Sequence, residues 1–93
     1  MSDREALLED AKKIVTHDRN SEYGEPEDNF KKIAEMWTAY LGHKYEFTPI
    51  DVSMMMTLLK VARIGSGSPT FDSFVDIAGY AACGGEIFIK EEP

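Results

Sequence analysis

The sequence predicts an all-α fold, a single domain built like a four-helix bundle. Three observations predict it. The 93 residues are enough for one domain and not for two. Apolar residues recur at the helical period in four segments. The links between these segments are short, as they are between neighbouring helices of a bundle. We therefore treat residues 1–93 as one helical domain.

The first helix is expected over about residues 3–17. Ser2 and Glu5 have the spacing of a capping box, in which each side chain satisfies a backbone amide at the helix start. The polar segment THDRNSEYGEPEDN then ends the apolar pattern. Gly24 in this segment is suited to a positive φ, and Pro26 suits the first position of the next helix. The apolar positions of the first helix are Leu7, Leu8, Ala11, Ile14 and Val15.

The second and third helices are expected over about residues 26–41 and 49–64. Gly42 ends the second helix, and HKYEF is a short connector that has no partner strand in the sequence. Thr48 is an N-cap candidate, and Pro49 fits the first helical position. The apolar stripe of the second helix is formed by Phe30, Ile33, Ala34, Trp37, Tyr40 and Leu41.

The third helix is apolar on nearly all sides and contains the run Met54-Met55-Met56. Such a helix must be buried on several sides, and one short chain has too little sequence to cover it. We therefore expect a homodimer or a higher homo-oligomer, in which the methionines supply adaptable packing. The fourth helix is expected over about residues 70–88, after the flexible turn SGSP.

The net charge of -7 bears on the class of ligand. Nucleic-acid-binding proteins neutralise phosphates with clustered lysines and arginines, and the sequence has no such cluster. Direct nucleic-acid binding is therefore not expected. An acidic protein can still bind phosphate compounds through a metal ion, or imitate DNA as an acidic decoy. The charge can also serve solubility alone.

The same sequence indicates where the protein resides. No apolar run approaches the roughly 18 residues that a membrane-spanning helix needs. The acidic, polar segment MSDREALLED does not resemble a signal peptide. The single cysteine, Cys83, has no partner for an internal disulfide, which suits a reducing compartment. We expect a cytoplasmic protein with no membrane contact.

The fourth helix carries the main candidate site. Asp72, Asp76 and Tyr80 follow one another at intervals of four residues and share a side of the helix. Two carboxylates at this spacing repel each other, so partial burial requires an opposing cation. Lys60 and Arg63 near the end of the third helix supply protein cations, and a salt bridge between Arg63 and Asp72 is the structural interpretation. The functional interpretation is a bound magnesium ion, with Asp28 joining Asp72 and Asp76 as ligands.

The segment before the second helix carries the second candidate site. Arg19 is suited to grip a phosphate with its guanidinium group. Asn20 is suited to contact a base or sugar, and Tyr23 to stack on a base. The alternative is a rigid turn in which Asn20 and its neighbours bond to their own backbone. The sequence leaves both interpretations open.

Three segments together resemble a family of small phage and prophage proteins of unknown activity. They are DRNSEYGEPEDNFKKIAEMW, TPIDVSMMMTLLKVARI and DSFVDIAGYAACGGE. The order of a Tyr-Gly loop, a Lys-x-x-Arg helix and an Asp-x-x-x-Asp-x-x-x-Tyr helix is also similar, more distantly, to a nucleotide-modification-associated phage domain. Both look like relatives of the MazG-type all-α nucleoside triphosphate pyrophosphohydrolases.

That distant resemblance implies a helical, oligomeric and magnesium-dependent protein. The enzymes hold the metal with a Glu-Glu-x-x-Glu motif on one helix and a Glu-x-x-Asp motif on another. This chain departs from both motifs, because Lys31 stands three residues after Asp28, and Asp72 and Asp76 are four apart. Asp76 is the residue that best matches the last acid of the second motif.

The sequence thus leads to two functional hypotheses. In the first, the protein binds a (deoxy)nucleoside triphosphate through magnesium, either with hydrolysis to monophosphate and pyrophosphate or, because the metal motifs are incomplete, with binding but no turnover. Glu25 or Glu27 would orient the attacking water. The phosphates and the nucleoside would be bound by Arg19, Asn20, Tyr23, Lys60, Arg63 and Tyr80. In the second hypothesis, the protein is a small acidic helical dimer that acts as a protein-interaction module without catalysis.

Overall fold

The computed structural model describes residues 2–18, 24–67 and 70–91. This part of the chain contains four α-helices and no strand. They are α1 (Asp3–Lys13), α2 (Pro26–Tyr40), α3 (Pro49–Gly65) and α4 (Phe71–Glu91). The predicted all-helical class is confirmed, as are the approximate positions of the four helices. No helix among these residues is both long and apolar enough to cross a membrane.

The helix starts follow the expected capping chemistry. The Ser2 hydroxyl accepts a hydrogen bond from the Glu5 amide at 3.2 Å, and the Glu5 carboxylate accepts one from the Ser2 amide at 3.2 Å. Thr48 and Asp51 form the same reciprocal pair at the start of α3, with bonds of 3.1 Å and 3.0 Å. Each box satisfies two amides that have no partner inside the helix.

The helix ends differ from the expectation in two places. The α-helical part of α1 stops at Lys13, and a π-helical turn continues from Ile14 to Asp18. The fourth helix runs three residues beyond the expected end, to Glu91. Lys90 explains this extension, because its ammonium group lies 3.2 Å from the Glu86 carboxylate one turn earlier and 4.0 Å from Glu27 of α2. The hydrogen bond with Glu86 raises the pKa of Lys90 above its ordinary value.

The connector between α2 and α3 is folded back onto α2. Gly42 and His43 both have positive φ, at 64° and 63°, which turns the chain sharply at the end of α2. The buried Thr38 hydroxyl donates to the Ala34 carbonyl at 2.8 Å and accepts from the Phe47 amide at 2.9 Å. Trp37 packs edge-on against Phe47, with ring centroids 5.7 Å apart. The connector is therefore anchored at both ends.

Tyr45 joins this connector to the cap of α3. Its ring packs edge-on against Phe47 with centroids 4.9 Å apart. Its hydroxyl donates to the Asp51 carboxylate at 3.1 Å. This hydrogen bond, and the negative charge of Asp51, raise the pKa of Tyr45 above 10.0. Asp51 thus caps α3 and fixes the Tyr45 side chain at the same time.

The core lies where α4 meets the other helices. The long helix α4 packs against α3, α1 and α2. The buried cluster at this junction is small and draws side chains from α2, α3 and α4. Its members are Phe30, Ala34, Val52, Cys83 and Ile87. A core of this size fits a modestly stable domain.

Helices α3 and α4 approach closely at Ser53 and Gly84. Ser53 is fully buried, and its hydroxyl donates to the Tyr80 carbonyl of α4 at 2.6 Å. A Cβ atom placed at Gly84 would clash with the Ser53 hydroxyl and lie 2.9 Å from the Ser53 Cβ. Only a residue without a side chain allows this separation, so Gly84 sets the distance between the two helices.

Many large apolar side chains are exposed on α3 and α4. On α3, Ser53, Thr57 and Lys60 point toward the rest of the chain, while large apolar side chains point outward. We call the exposed apolar sides of α3 and α4 the outer surface. Its large side chains are Met54, Met55, Leu58, Leu59, Val61, Phe71, Phe74, Phe88 and Ile89. The prediction that α3 is apolar on more sides than one chain covers is consistent with this surface, and the oligomeric state stays a prediction.

Candidate functional site

A narrow pocket lies between the π-helical turn, the start of α2 and the middle of α4, and its enclosed space is only about 20 Å³, the rest being open to solvent. Its wall is mainly apolar. The polar side chains on it are those of Asn29, Asp76 and Tyr80. The remaining lining residues are Ile14, Val15, Gly24, Pro26, Phe30, Val75, Gly79 and Cys83. An apolar wall with a few polar groups is typical of small-molecule sites, but those usually enclose about 300–1,000 Å³, so a ligand here would lie mainly at the pocket mouth.

Helix α4 forms one wall of the pocket through its helical repeat. Residues 76, 79, 80 and 83 share a side of α4, as the sequence indicates. Gly79 lets the π-helical turn come close, because a Cβ there would lie 3.3 Å from Val15. Across the pocket, the rings of Phe30 and Tyr80 have centroids 6.3 Å apart. The pocket therefore has a floor of small residues and an aromatic side.

Asp76 is the one carboxylate on the pocket wall among the residues that the structure describes. Its Oδ2 atom lies 3.0 Å from the Lys60 ammonium group of α3. The two side chains are 29% and 16% exposed, so the pair is largely removed from water. The cation that offsets partial burial of Asp76 is therefore Lys60, and the pair ties α3 to α4 beside the pocket.

The other two carboxylates proposed for a metal lie elsewhere. Asp28 and Asp72 are exposed, and neither lines the pocket. Arg63 is also exposed and makes no salt bridge with Asp72, contrary to the structural interpretation of that pair. Among the described residues, no three histidine, cysteine, aspartate or glutamate side chains form a group able to hold a metal ion. A three-carboxylate magnesium site does not fit this arrangement.

The remaining predicted residues fall into two groups. Glu25 is exposed and stands between two pocket-lining residues, Gly24 and Pro26, which places it at the rim. Glu27 is half-buried on the first turn of α2, near Lys90. Arg19, Asn20 and Tyr23 lie outside the described residues.

Sequence reasoning missed Asn29 as a pocket residue. It lies on the first turn of α2, where the predicted ligands were the neighbouring acids. The helical period of α2 could have identified Asn29 from the sequence. Asn29 stands one position before Phe30, a member of the predicted apolar stripe, and so borders the side of α2 that faces α4.

Comparison with known proteins places the chain among phage proteins. The DUF6378 family, a domain of unknown function, matches residues 6–88. The Gene 55 protein of Mycobacterium phage D29 is 43% identical over 89 residues, which cover 96% of this chain and 56% of that protein. The Gene 55 protein of Mycobacterium phage L5 is 43% identical over 76 residues, or 82% of this chain and 48% of that protein. The chain thus spans about half the length of these curated relatives. No solved structure matches it.

Proposed function

Because the chain belongs to the DUF6378 family of unknown function, we propose a role from its geometry: it binds a nucleotide at the mouth of the pocket beside Asp76. The observation that carries the proposal is a largely buried carboxylate on the wall of an otherwise apolar pocket, next to a tyrosine ring. A nucleoside presents the matching chemistry, since it has a flat apolar base and polar edges on the base and sugar.

Different pocket residues would contact different parts of the nucleotide. The half-buried Tyr80 ring would offer apolar surface to a base, and the buried Phe30 ring packs behind it. The Asn29 amide can both donate and accept hydrogen bonds, and Asp76 accepts them. Lys60 holds Asp76 in position. Gly24 lines the pocket and follows residues 19–23 in the sequence, the segment in which Arg19 is the predicted phosphate-binding residue.

The proposal treats magnesium as part of the ligand. Magnesium keeps several waters and often binds through one or two carboxylates plus the phosphates of a nucleotide. Asp76, the described carboxylate on the pocket wall, is the residue that would meet such an ion. Because the described acids form no three-ligand group, we derive no hydrolytic step through a metal. Hydrolysis with Glu25 or Glu27 orienting water, and kinship with the MazG-type enzymes, stay predictions of the sequence.

The proposal is tested by thermal melting with and without magnesium and each common deoxynucleoside triphosphate. A ligand that binds only the folded state raises the melting temperature. We expect a rise for the wild type, none for Asp76→Ala, and a rise of wild-type size for Asp72→Ala. Asp72 is the matched control, because it lies one turn away on α4 and outside the pocket.

Each shift is measured against the same variant without nucleotide, because Asp76→Ala also removes the salt bridge with Lys60. Asn29→Leu blocks the pocket without touching that salt bridge, and it should abolish the shift as well. No shift with any nucleotide, or equal shifts in all variants, would refute the proposal. Separation of the nucleotides after incubation tests hydrolysis independently.

A protein-interaction role without catalysis is the second candidate. The outer surface favours it, because nine large apolar side chains on two adjacent helices are between 41% and 72% exposed. Contiguous apolar surface of this kind usually marks an interaction site.

A further inference from the structure

We propose that the outer surface pairs with the same surface of a second copy of this chain, so that α3 of each copy lies on α4 of the other. The inference is independent of nucleotide binding. It rests on the interaction role proposed above and names the partner.

The area of the surface is the first argument. Aromatic side chains carry about 150–250 Å² each, so the three roughly half-exposed phenylalanines alone present on the order of 300 Å², and six aliphatic side chains of 41–72% exposure add to this. The largest apolar patch on a typical monomer is about 300–600 Å². A stable interface of standard size buries about 800 Å² on each partner. The outer surface is therefore larger than a monomer usually exposes and large enough for a stable dimer.

The shape of the surface is the second argument. Along α4, residues 74, 78, 81, 85 and 88 form one stripe, with Phe74 and Phe88 at its ends and alanine or glycine between them. The two phenylalanines are 14 residues apart, so the shallow groove between them is about 21 Å long. On α3, Met54, Leu58 and Val61 form a ridge about 10 Å long. The ridge fits between the phenylalanines.

The ridge and the groove lie on adjacent helices of one chain, and this makes the surface self-complementary. Met54 reaches α4, since its Cε atom lies 3.8 Å from the position that a Cβ at Gly84 would take. A two-fold axis running between the helices places each ridge in the other copy's groove, and both contacts form together. A partner of different shape would fill the groove but leave the ridge uncovered.

The distribution of charge is the third argument. Of the exposed α3 side chains beyond its first turn, only Arg63 is charged, and the stripe of α4 contains no charged residue. The net charge of -7 is therefore carried elsewhere. Two acidic copies can meet here without bringing like charges into contact, which would otherwise oppose pairing.

The test is the mass of this 93-residue chain in solution, measured by light scattering after gel filtration at several concentrations. We expect twice the chain mass of 10.5 kDa for the wild type. Leu58→Glu puts a charge in the centre of the ridge, at a side chain that is 64% exposed, and should give 10.5 kDa with helicity retained. Ala39→Glu, on the exposed side of α2, is the matched control and should keep the doubled mass.

A cross-linking experiment tests the arrangement. A Leu58→Cys chain mixed with an Ala81→Cys chain should form mainly the mixed disulfide under mild oxidation, because the α3 ridge of one copy contacts the α4 groove of the other. Preferential linkage between two Leu58→Cys chains would overturn the arrangement. A dimer that Leu58→Glu leaves intact would overturn the proposed interface.

A wild type that stays at 10.5 kDa would overturn pairing altogether, and a hydrophobic dye separates two cases. A monomer that binds 8-anilinonaphthalene sulfonate, with binding reduced by Leu58→Glu, exposes the surface but does not pair. That result would exclude a second copy of this chain as the partner, and it would still support a protein-interaction role. A monomer that does not bind the dye would refute the interaction role as well.

Discussion

The contact between Ser53 and Gly84 predicts opposite effects for two neighbouring substitutions on α4. Gly84→Ala places a methyl group against the Ser53 side chain, whereas a Cβ at Gly85 meets nothing within 4 Å. Replacing glycine with alanine inside a helix stabilises it by about 1 kcal/mol. At Gly85 this gain should appear in full. At Gly84 the helices must move apart.

The cost at Gly84 has two parts. Inserting a methyl group into a closely packed contact costs about 1–3 kcal/mol. Separating the helices also stretches the 2.6 Å hydrogen bond from Ser53 to the Tyr80 carbonyl, and losing such a bond costs about 1 kcal/mol. After subtracting the helix gain, we expect Gly84→Ala to lower the free energy of unfolding by about 2 kcal/mol.

Thermal unfolding followed by circular dichroism measures both effects. A change of 1 kcal/mol shifts the melting temperature of a domain this size by about 4–8 °C. Gly84→Ala should therefore melt about 8–16 °C below the wild type, and Gly85→Ala about 4–8 °C above it. Because Gly85 lies in the α4 groove, melting at two protein concentrations separates the helix gain from any effect on pairing. The reasoning is wrong if Gly84→Ala melts at or above the wild-type temperature.

A double-mutant cycle tests whether Ser53 is the cause. Ser53→Ala removes the hydroxyl that an alanine at position 84 would meet. The double variant should be more stable than the sum of the two single effects, by at least about 0.5 kcal/mol. Strict additivity would show that the cost at Gly84 does not arise from the Ser53 hydroxyl, since Ser53→Ala keeps the Cβ atom 2.9 Å away.

Three further predictions concern the ion pair and the connector. Lys60→Met leaves the largely buried Asp76 carboxylate without its cation, and we expect the free energy of unfolding to fall by about 1–2 kcal/mol. An unchanged denaturation midpoint would show that the salt bridge between Lys60 and Asp76 does not stabilise the fold. Thr48→Ala removes the cap of α3 and should cost about 1 kcal/mol, so a melting temperature equal to that of the wild type would contradict it. Because folding raises the pKa of Tyr45 above 10.0, its bond to Asp51 stabilises the fold below pH 10.0 and is lost as the pH rises through the higher folded value. The tyrosinate absorbance of the wild type minus that of Tyr45→Phe should therefore have its midpoint above 10.0, and a midpoint at or below this value would refute the bond.

The helix starts were predictable because capping depends on residues three apart in the sequence. Thr48 and Asp51 needed no tertiary information, and the structure confirms their hydrogen bonds. The positive φ of Gly24 was predictable for the same reason. Local chemistry decides these features, so the sequence alone identifies them.

The pairing of charges across helices was not predictable in the same way. The helical period gives the angle of Lys60 on α3 and of Asp76 on α4, but it does not give the depth at which the two helices meet. That depth depends on the contact of Ser53 with Gly84, which lie 31 positions apart in the sequence. As a result, Lys60 rather than Arg63 faces a carboxylate, and Asp72 remains in water.

The outer surface was only partly predictable. The apolar run of α3 indicated burial on several sides, and the structure shows which side stays open. The small residues of α4 gave no such signal by themselves, because small residues also occur where two helices pack closely, as Gly84 does. Only the three-dimensional neighbourhood of α3 and α4 joins the ridge and the groove into one surface.

The anchored connector between α2 and α3 has a consequence for how the chain tolerates change. Thr38 and Asp51 each hold a backbone amide of this segment, those of Phe47 and Thr48. An added or deleted residue between positions 42 and 47 would force at least one of these amides from its acceptor. Length variation is therefore poorly tolerated here. A tag, a fluorescent label or a protease recognition sequence inserted at this site would disturb the junction of two helices, although the segment looks like an ordinary surface loop.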